Sequence, residues 1–390
     1  MTSQSVSKNR RLVGNTAILI AYFGLMMGLW NEYSWYSDMA PYGTVICLPA
    51  LAVAFFAYVN IKDAFRDPVF WMMIVGDAFA LVNLFLIGSN KGAFLTAADF
   101  LLILYLANKI RIPRKLFYYI LGITGFFFFY WTFDVKGYFK GYNTNYGGLV
   151  LITGFIFAMI GFECLRRHLK KRGREKAAKW MLLWYVWMFA WGYNIIAWYR
   201  ARCAFLALMV FALLLILPGK LWNNKWLYML LCLGTTVGAA VFSLVYIGLG
   251  NLTGGVNIQL FYKNAISGRE EIWRELWGAF LKQPITGIGS SYVMHIDWLE
   301  GMFEAHSGML DILFVHGIVV FVITVALLIK RLWQLREGAV SSNTGRFIMA
   351  GAMAMLCAGF LENYFIVPPF SLSLFLLLVA GNCENSDNLI

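Results

Sequence analysis

Long apolar stretches separated by short polar connections run along almost the whole chain. They lie near residues 13–30, 42–61, 68–88, 93–108, 116–133, 145–165, 177–196, 202–218, 226–249, 307–329, 346–361 and 369–382. A helix that crosses the hydrocarbon core of a bilayer needs about 20 mainly apolar residues. The pattern therefore predicts an all-α integral membrane protein with about twelve transmembrane helices, organised as a single polytopic domain over residues 1–390.

Composition excludes an ordinary water-soluble protein. The 390 residues are 61% hydrophobic and only 13% charged, whereas soluble domains carry about 25% charged residues. Intrinsic disorder needs low hydrophobicity and high charge, so it is excluded as well. The first apolar stretch is expected to remain as a helix, because Trp30-Asn31-Glu32-Tyr33 offers no small-residue cleavage site after it.

The basic residues are distributed unevenly among the connections. If the amino-terminal tail is cytoplasmic, the connections on that side hold 23 of the 32 Lys and Arg residues. Short cytoplasmic loops carry an excess of Lys and Arg, so both termini are predicted to be cytoplasmic. The net charge of +12 is therefore attributed to topology and to contact with membrane lipids, and nucleic acid is not an expected partner.

One connection, residues 250–306, is much longer than the others and falls on the outer side of this topology. Ile272, Trp273, Leu276, Trp277 and Phe280 recur in it at helical spacing, which predicts an amphipathic helix from about 268 to 282. Long ordered loops are usually functional. We expect this extracytoplasmic loop to form part of the active site, with its helix on the membrane surface or across the mouth of the bundle.

Three arginines occur at positions that disfavour a positive charge, either because the position is on the outer side of the membrane or because of the helix dipole. Arg200 and Arg202 lie at the outer end of a helix, and Arg269 lies in the first turn of the predicted loop helix, where the helix dipole disfavours a cation. Taken together they suit an anionic ligand at the outer leaflet, since a guanidinium binds phosphate oxygens bidentately. The alternatives are arginines that bind only lipid phosphate, and an Arg269 that pairs with Glu270 or Glu271.

Among four histidines, His306 has the most suggestive position. It lies where the long loop ends and the next helix begins, with Glu304 and Asp311 close in sequence. Histidine is a competent general base near neutral pH, and the alternative is a capping or interfacial histidine. His316 is expected in the core. No CxxC motif, Cys/His cluster or Asp-x-Asp motif is present, so neither a metal nor a cofactor is predicted.

These residues resemble the signature region of the O-antigen ligase and O-antigen polymerase superfamily. The similarity is carried by Gly268-Arg269, Trp273, Trp277, Pro284-Ile285-Thr286-Gly287-Ile288-Gly289 and Ala305-His306-Ser307-Gly308-Met309-Leu310, by Arg202 to Leu208, and by Asn143-Thr144-Asn145-Tyr146-Gly147-Gly148. It covers about residues 140–380. Ser307, Thr144 and Ala201 depart from the family pattern of Asn, Pro and Ser, and the last departure makes Arg200 a rival to Arg202.

The resemblance implies a glycosyltransferase in the bacterial inner membrane that acts on its outer side. The donor would be a glycan on undecaprenyl diphosphate and the acceptor a glycan or lipid-linked hydroxyl, and a chain-length regulator protein is a further candidate partner. Arg202, Arg269 and the rival Arg200 would bind the diphosphate, and His306 would be the base of an inverting, metal-independent reaction. The candidates for binding the acceptor or for orienting other groups are Glu304, Glu362, Asn145 and Trp273.

Three functions remain open at this stage. A polymerase extending lipid-linked repeat units is favoured over a ligase that transfers the glycan to lipid A-core or another terminal acceptor. A flippase or transporter of lipid-linked sugars is the third, supported by the intramembrane residues Asp77 and Asp99. Trp273, Trp277 and Tyr364 are candidates for stacking on sugar rings, although interfacial aromatic belts are the commoner explanation.

Overall fold

A computed structural model describes residues 3–31, 42–133, 144–253, 259–260, 263–264, 268–296 and 305–384. Nearly all of these residues are helical. The α-helices are α1 Ser3–Asn31, α2 Gly43–Tyr58, α3 Ile61–Ala64, α4 Pro68–Val82, α5 Lys91–Leu106, α6 Arg114–Phe133, α7 Thr144–Lys171, α8 Glu175–Tyr199, α9 Arg202–Ile216, α10 Gly219–Asn223, α11 Lys225–Thr236, α12 Gly238–Thr253, α13 Arg269–Phe280, α14 Gly308–Ser341, α15 Asn343–Ala358 and α16 Phe370–Glu384. A π-helix, Asn83–Ile87, continues α4.

Strand structure in the described residues amounts to one short antiparallel pair. Strand β1, Gln259–Leu260, pairs with β2, Lys263–Asn264. Because helices account for almost all the regular structure of the described residues, the predicted all-α class is confirmed.

Each of the twelve predicted apolar stretches falls on helix. The stretch 226–249 is divided into α11 and α12, which meet at a bend of 62°. By length and composition, four described helices can cross a membrane, or five if the bent pair forms one span. The four are Lys8–Leu29, Pro68–Ile87, Asn145–Lys171 and Gly308–Ser341. The number of about twelve crossings stays a prediction.

Helix α15 occupies the middle of the bundle and packs against α7, α9, α14 and α16. Its sequence is rich in Gly, Ala and Met, and its residues from Phe347 to Ala358 are buried. Small residues let helix backbones approach closely in a membrane protein. At Gly351, an added Cβ would lie only 2.6 Å from Ile156, so this contact between α15 and α7 needs glycine.

Hydrogen bonds place the first turns of α7 and α14 beside Glu362, in the turn between α15 and α16. Asn145, in the first turn of α7, donates from Nδ2 to the Glu362 carboxylate. The N–H of Gly308, which begins α14, lies 2.9 Å from the carbonyl oxygen of Gly359 and 3.2 Å from that of Glu362. We call this side of the bundle the Glu362 end.

The opposite side of the bundle, called here the basic end, holds the other ends of the same helices. Arg166, 21 residues after Asn145 and therefore roughly 30 Å along α7, pairs with the buried Glu163 at 2.6 Å. Arg331 of α14 donates from Nη1 to Asn108 Oδ1 at 3.0 Å. The basic connections 109–115 and 166–179 therefore lie away from Glu362.

Asp67 links two of the connections at the basic end. Its carboxylate accepts a hydrogen bond from the Val69 N–H at 2.9 Å, which caps α4, and pairs with Lys109 Nζ at 2.7 Å. Partial burial acts to raise the pKa of Asp67. The hydrogen bonds from Lys109 and Val69 and the charge of Lys109 outweigh it, and the pKa lies below its ordinary value.

Candidate active site

The carboxylate of Glu362 is the centre of a buried polar cluster at the Glu362 end. Its Oε1 accepts hydrogen bonds from Arg269 Nη2 at 2.6 Å and from Asn145 Nδ2 at 2.6 Å. Its Oε2 faces His306 Nδ1 at 3.6 Å. The side chain of Glu362 is only 9% exposed and that of Arg269 only 7%. A buried charge has to be paired and hydrogen-bonded, and here helices α7 and α13 and the segment just before α14 supply the partners.

Arg202 lies beside this cluster. It is the first residue of α9, it is half-buried, and it is within electrostatic range of both Arg269 and Glu362. Two guanidinium groups thus lie within electrostatic range of one carboxylate, and these three side chains together carry one net positive charge. Such an excess of positive charge attracts anions.

Arg200 occupies a different environment from Arg202. It is exposed and forms the C-cap of α8, where its backbone adopts the left-handed region with φ 55°. A left-handed residue at this point lets α8 end and α9 begin two residues later. Of the two rivals, Arg202 is the half-buried one that lies within electrostatic range of Arg269 and Glu362, and Arg200 is exposed.

The backbone around His306 is anchored on both sides. Trp273 Nε1 donates to the carbonyl oxygen of Ala305 at 2.7 Å, and Ser307 Oγ donates to that of Gly359 at 3.0 Å. His306 itself has φ 47°, a conformation that costs a non-glycine residue about 1–3 kcal/mol and persists only where the surroundings enforce it. The anchors hold the imidazole, which is 22% exposed, toward Glu362.

Trp273 has an orienting position. Its side chain is fully buried, and its ring lies 5.1 Å from that of Tyr246 and 6.1 Å from that of Phe242. Tyr364 is fully buried as well, and its hydroxyl contacts Thr153. Both rings are packed inside the protein in this structure, and their stacking on sugar rings stays a prediction.

The Pro-x-x-Gly-x-Gly motif forms a turn that docks into a break in α14. The helix is interrupted at Gly317, which has φ 81° and ψ 177°. In the turn, the N–H of Ile288 donates to the carbonyl oxygen of Phe314 at 2.7 Å. Gly287 has φ 76°, and an added Cβ would lie within 2.7 Å of three backbone atoms of α14. Glycine is therefore required by sterics and by backbone conformation at this position.

Sequence reasoning missed Asn83, which fastens the same junction. Its Nδ2 donates to the carbonyl oxygen of Thr286 in the turn and, at 2.9 Å, to that of Val315 beside the helix break. An asparagine inside an apolar stretch was the available signal, because a buried amide needs polar partners. Through this junction α13, which carries Arg269, is fixed relative to α14, which follows His306.

The remaining predicted site residues have varied outcomes. Glu304 lies outside the described residues. Trp277 is half-buried and donates from Nε1 to Ser243 Oγ at 3.0 Å. His316 is buried in α14, as expected of a core histidine. In the part of the chain that the structure describes, no group of three His, Cys, Asp or Glu residues is arranged to hold a metal ion.

The described chain is a bundle of apolar helices, several long enough to cross a membrane, with a cationic, imidazole-containing cluster at one end. Residues 186–325 match the family model described as O-antigen ligase. The match confirms the resemblance to the O-antigen ligase and polymerase superfamily. It contains Arg202, Arg269 and His306, whereas Asn145 and Glu362 lie outside it. No curated protein and no solved structure matches the chain significantly.

Proposed function

We propose that the protein is a glycosyltransferase that polymerises lipid-linked oligosaccharide repeat units of the O-antigen, capsule or exopolysaccharide type. The glycan would pass from undecaprenyl diphosphate to a hydroxyl of the acceptor glycan. The observation that carries the proposal is the convergence of Arg202, Arg269 and His306 on Glu362. Arg202 lies in α9, Arg269 in α13 and His306 just before α14, and together they would supply a diphosphate site and a base in one place.

The two arginines would act on the leaving group. The acceptor oxygen forms a bond to the anomeric carbon while the bond from that carbon to the phosphate oxygen breaks, and the diphosphate departs with the electron pair. Negative charge grows on the diphosphate during this step, and cations held in place beforehand stabilise it. The net positive charge of Arg202, Arg269 and Glu362 together suits this role. Direct attack opposite the leaving group inverts the anomeric centre.

His306 would accept the proton of the acceptor hydroxyl. The Glu362 carboxylate faces Nδ1 of the imidazole at 3.6 Å, so Nε2 would face the incoming hydroxyl. A carboxylate behind a catalytic imidazole fixes the tautomer and stabilises the imidazolium that forms. Hydrogen bonds in catalytic sites without ligands are often long and tighten when substrate binds, so the distance is compatible with this role.

The distribution of charge supports an outward-facing site in the bacterial inner membrane. The basic connections 109–115 and 166–179 lie at the end of the bundle opposite Glu362, and Lys/Arg-rich short loops are characteristic of the cytoplasmic side. We therefore place both termini in the cytoplasm and the Glu362 end at the periplasm or cell exterior. The loop 250–306 is then extracytoplasmic, within a bundle of about twelve crossings.

A ligase is the second candidate, because the matching family model is described as O-antigen ligase. The same cluster would serve it, with lipid A-core or another terminal acceptor in place of a second repeat unit. A transporter would be expected to hold its ligand near the bilayer midplane, whereas this cluster lies at one end of the bundle. A chain-length regulator protein is expected to act only with a polymerase.

Incubation of the purified protein with lipid-linked repeat units alone distinguishes the two enzymes. A ladder of products is expected from a polymerase. A reaction that starts only after another acceptor is supplied would identify a ligase. Activity is expected to persist in EDTA, and strict dependence on an added divalent metal would overturn the arginine-based mechanism.

Variants test the assigned roles in the same assay. His306→Ala is expected to abolish transfer while expression and donor binding stay near normal, and unaltered product ladders would remove the base assignment. Arg202→Ala and Arg269→Ala should each lower the rate by at least about tenfold, with incomplete rescue by Lys because it cannot bind phosphate oxygens bidentately. Arg200→Ala, which removes the exposed neighbour, is the matched control and should retain most activity.

A further inference from the structure

A groove at the basic end combines apolar walls with a cationic mouth. It lies between α1 and α2 and has a volume of about 980 Å³, near the upper limit of the roughly 300–1,000 Å³ typical of small-molecule sites. Val13, Val53 and Phe56 line it, and each is exposed. Arg10, Arg11, Lys62 and the other lining residues include no Asp or Glu. The groove therefore presents three positive charges above an apolar surface.

One of these cations, Arg11, has a constrained setting. The guanidinium of Arg11 lies 6.0 Å from the centroid of the Tyr58 ring, within the range of a cation–π contact. The Tyr58 hydroxyl is 2.8 Å from Asn15 Oδ1 on α1 and 2.9 Å from the carbonyl oxygen of Arg111 in the connection between α5 and α6, so the ring is held from two sides. The Asn60 side chain accepts a hydrogen bond from the Lys62 N–H at 3.0 Å and caps α3.

The groove is remote from the candidate active site. Gly43, at the other end of α2, packs against Pro368, which follows the turn that carries Glu362. The 16 residues of α2 span roughly 24 Å at 1.5 Å per residue. The apolar walls on α1 and α2 thus extend from the cationic mouth toward the middle of the bundle.

We propose that this groove binds an anionic phospholipid of the surrounding membrane. The phosphate would lie among Arg10, Arg11 and Lys62, and an acyl chain would run along Val53 and its apolar neighbours. Basic pockets between membrane helices are suited to anionic headgroups, and guanidinium groups bind phosphate oxygens in pairs. The exposed apolar walls favour a whole lipid over a soluble phosphate, since only a lipid covers them.

The experiment is a lipid titration of the full-length protein in detergent, followed by native mass spectrometry. Phosphatidylglycerol is the anionic probe and phosphatidylcholine the zwitterionic one. The variant Arg10→Gln/Arg11→Gln/Lys62→Gln is expected to weaken the tightest phosphatidylglycerol binding by roughly 100-fold, about fivefold for each charge lost. Binding of phosphatidylcholine should not change. Thermal unfolding of each variant verifies that the bundle remains folded.

A matched control removes three charges from the same end of the molecule at another place. Lys170→Gln/Lys171→Gln/Arg172→Gln alters exposed residues around the end of α7 and should change phosphatidylglycerol binding by less than about threefold. Equal losses in the two triple variants would show diffuse attraction to a basic surface and would overturn the proposal. So would unchanged binding in the first variant.

A second pair of measurements separates a lipid from a phosphate. Glycerol 3-phosphate carries the charge but no acyl chain, and it should fail to displace bound phosphatidylglycerol. Val53→Asn alters the wall and leaves every cation in place, and it should also weaken phosphatidylglycerol binding. Full displacement by glycerol 3-phosphate, or unchanged binding in Val53→Asn, would assign the groove to phosphate alone and contradict a phospholipid site.

Discussion

The contact between Arg269 and Glu362 offers the sharpest quantitative test of the cluster. Arg269 Nη2 and Glu362 Oε1 are 2.6 Å apart, and the two side chains are 7% and 9% exposed. Removing one partner of a buried ion pair costs about 3–5 kcal/mol, because the remaining charge is left buried without compensation. Replacing both partners by uncharged residues is often close to neutral.

These numbers define a double-mutant cycle with Arg269→Met and Glu362→Gln. Glutamine keeps a carbonyl oxygen for the hydrogen bond from Asn145, which lies 2.6 Å from the native carboxylate, so the substitution mainly removes the charge. Each single variant should lose about 3–5 kcal/mol of unfolding free energy. The double variant should lose much less than the sum, with a coupling of about 3 kcal/mol.

The assay is thermal unfolding of the purified variants in one detergent, monitored by tryptophan fluorescence. A change of 1 kcal/mol shifts the midpoint by roughly 2–4 °C in domains of 150–250 residues and by less in larger ones. The single variants of this 390-residue chain should therefore unfold about 4–6 °C below the parent. Arg200→Met, at an exposed position, is the control and should unfold with the parent. Additive effects of the two substitutions, within about 0.5 kcal/mol, would refute a buried ion pair.

Further substitutions test the supports of the site. Ser307→Ala removes a buried hydrogen bond and should cost about 1 kcal/mol and slow glycan transfer, as measured by unfolding and by product ladders. Gly287→Ala should lower the unfolding free energy by more than about 2 kcal/mol because of its positive φ and its backbone contacts. Gly278→Ala, in open space on α13, should be neutral or gain up to about 1 kcal/mol. Because the pKa of Asp67 is lowered on folding, its pairing with Lys109 stabilises the protein above about pH 4 and ceases to do so as the pH falls through the lowered pKa. At pH 7 the unfolding free energy of the parent should therefore exceed that of Asp67→Asn by about 0.2–1 kcal/mol. The difference should disappear in strong acid.

The helices were largely predictable because their apolar patterns are long and local. The loop helix expected over 268–282 is observed as Arg269–Phe280, with the motif from Pro284 to Gly289 directly after it. One apolar stretch was misread as a continuous helix. The structure divides 226–249 into α11 and α12 with a bend of 62°, and hydropathy is insensitive to such a break when both halves are apolar.

The cluster itself was predictable only residue by residue. Arg269, His306, Glu362 and Asn145 were each candidates, but a single sequence carries no signal that joins Asn145 to a residue 217 positions later. The role of Trp273 was ambiguous for a related reason. An amphipathic helix indicates which side chains face one way, and only the fold determines whether that face meets a ligand or, as here, Tyr246 and Phe242.

The docking of the Gly287 turn into the gap at Gly317 has a practical meaning for exchanging parts between related enzymes. The segment 268–296 is held by backbone contacts to α14 and by the amide of Asn83, so it is not a unit that can be exchanged by itself. A graft that transplants this segment alone would carry the Gly287 turn without the break in α14 that receives it. A viable chimaera therefore has to include Gly317 of α14 and Asn83 of the π-helix together with the segment 268–296.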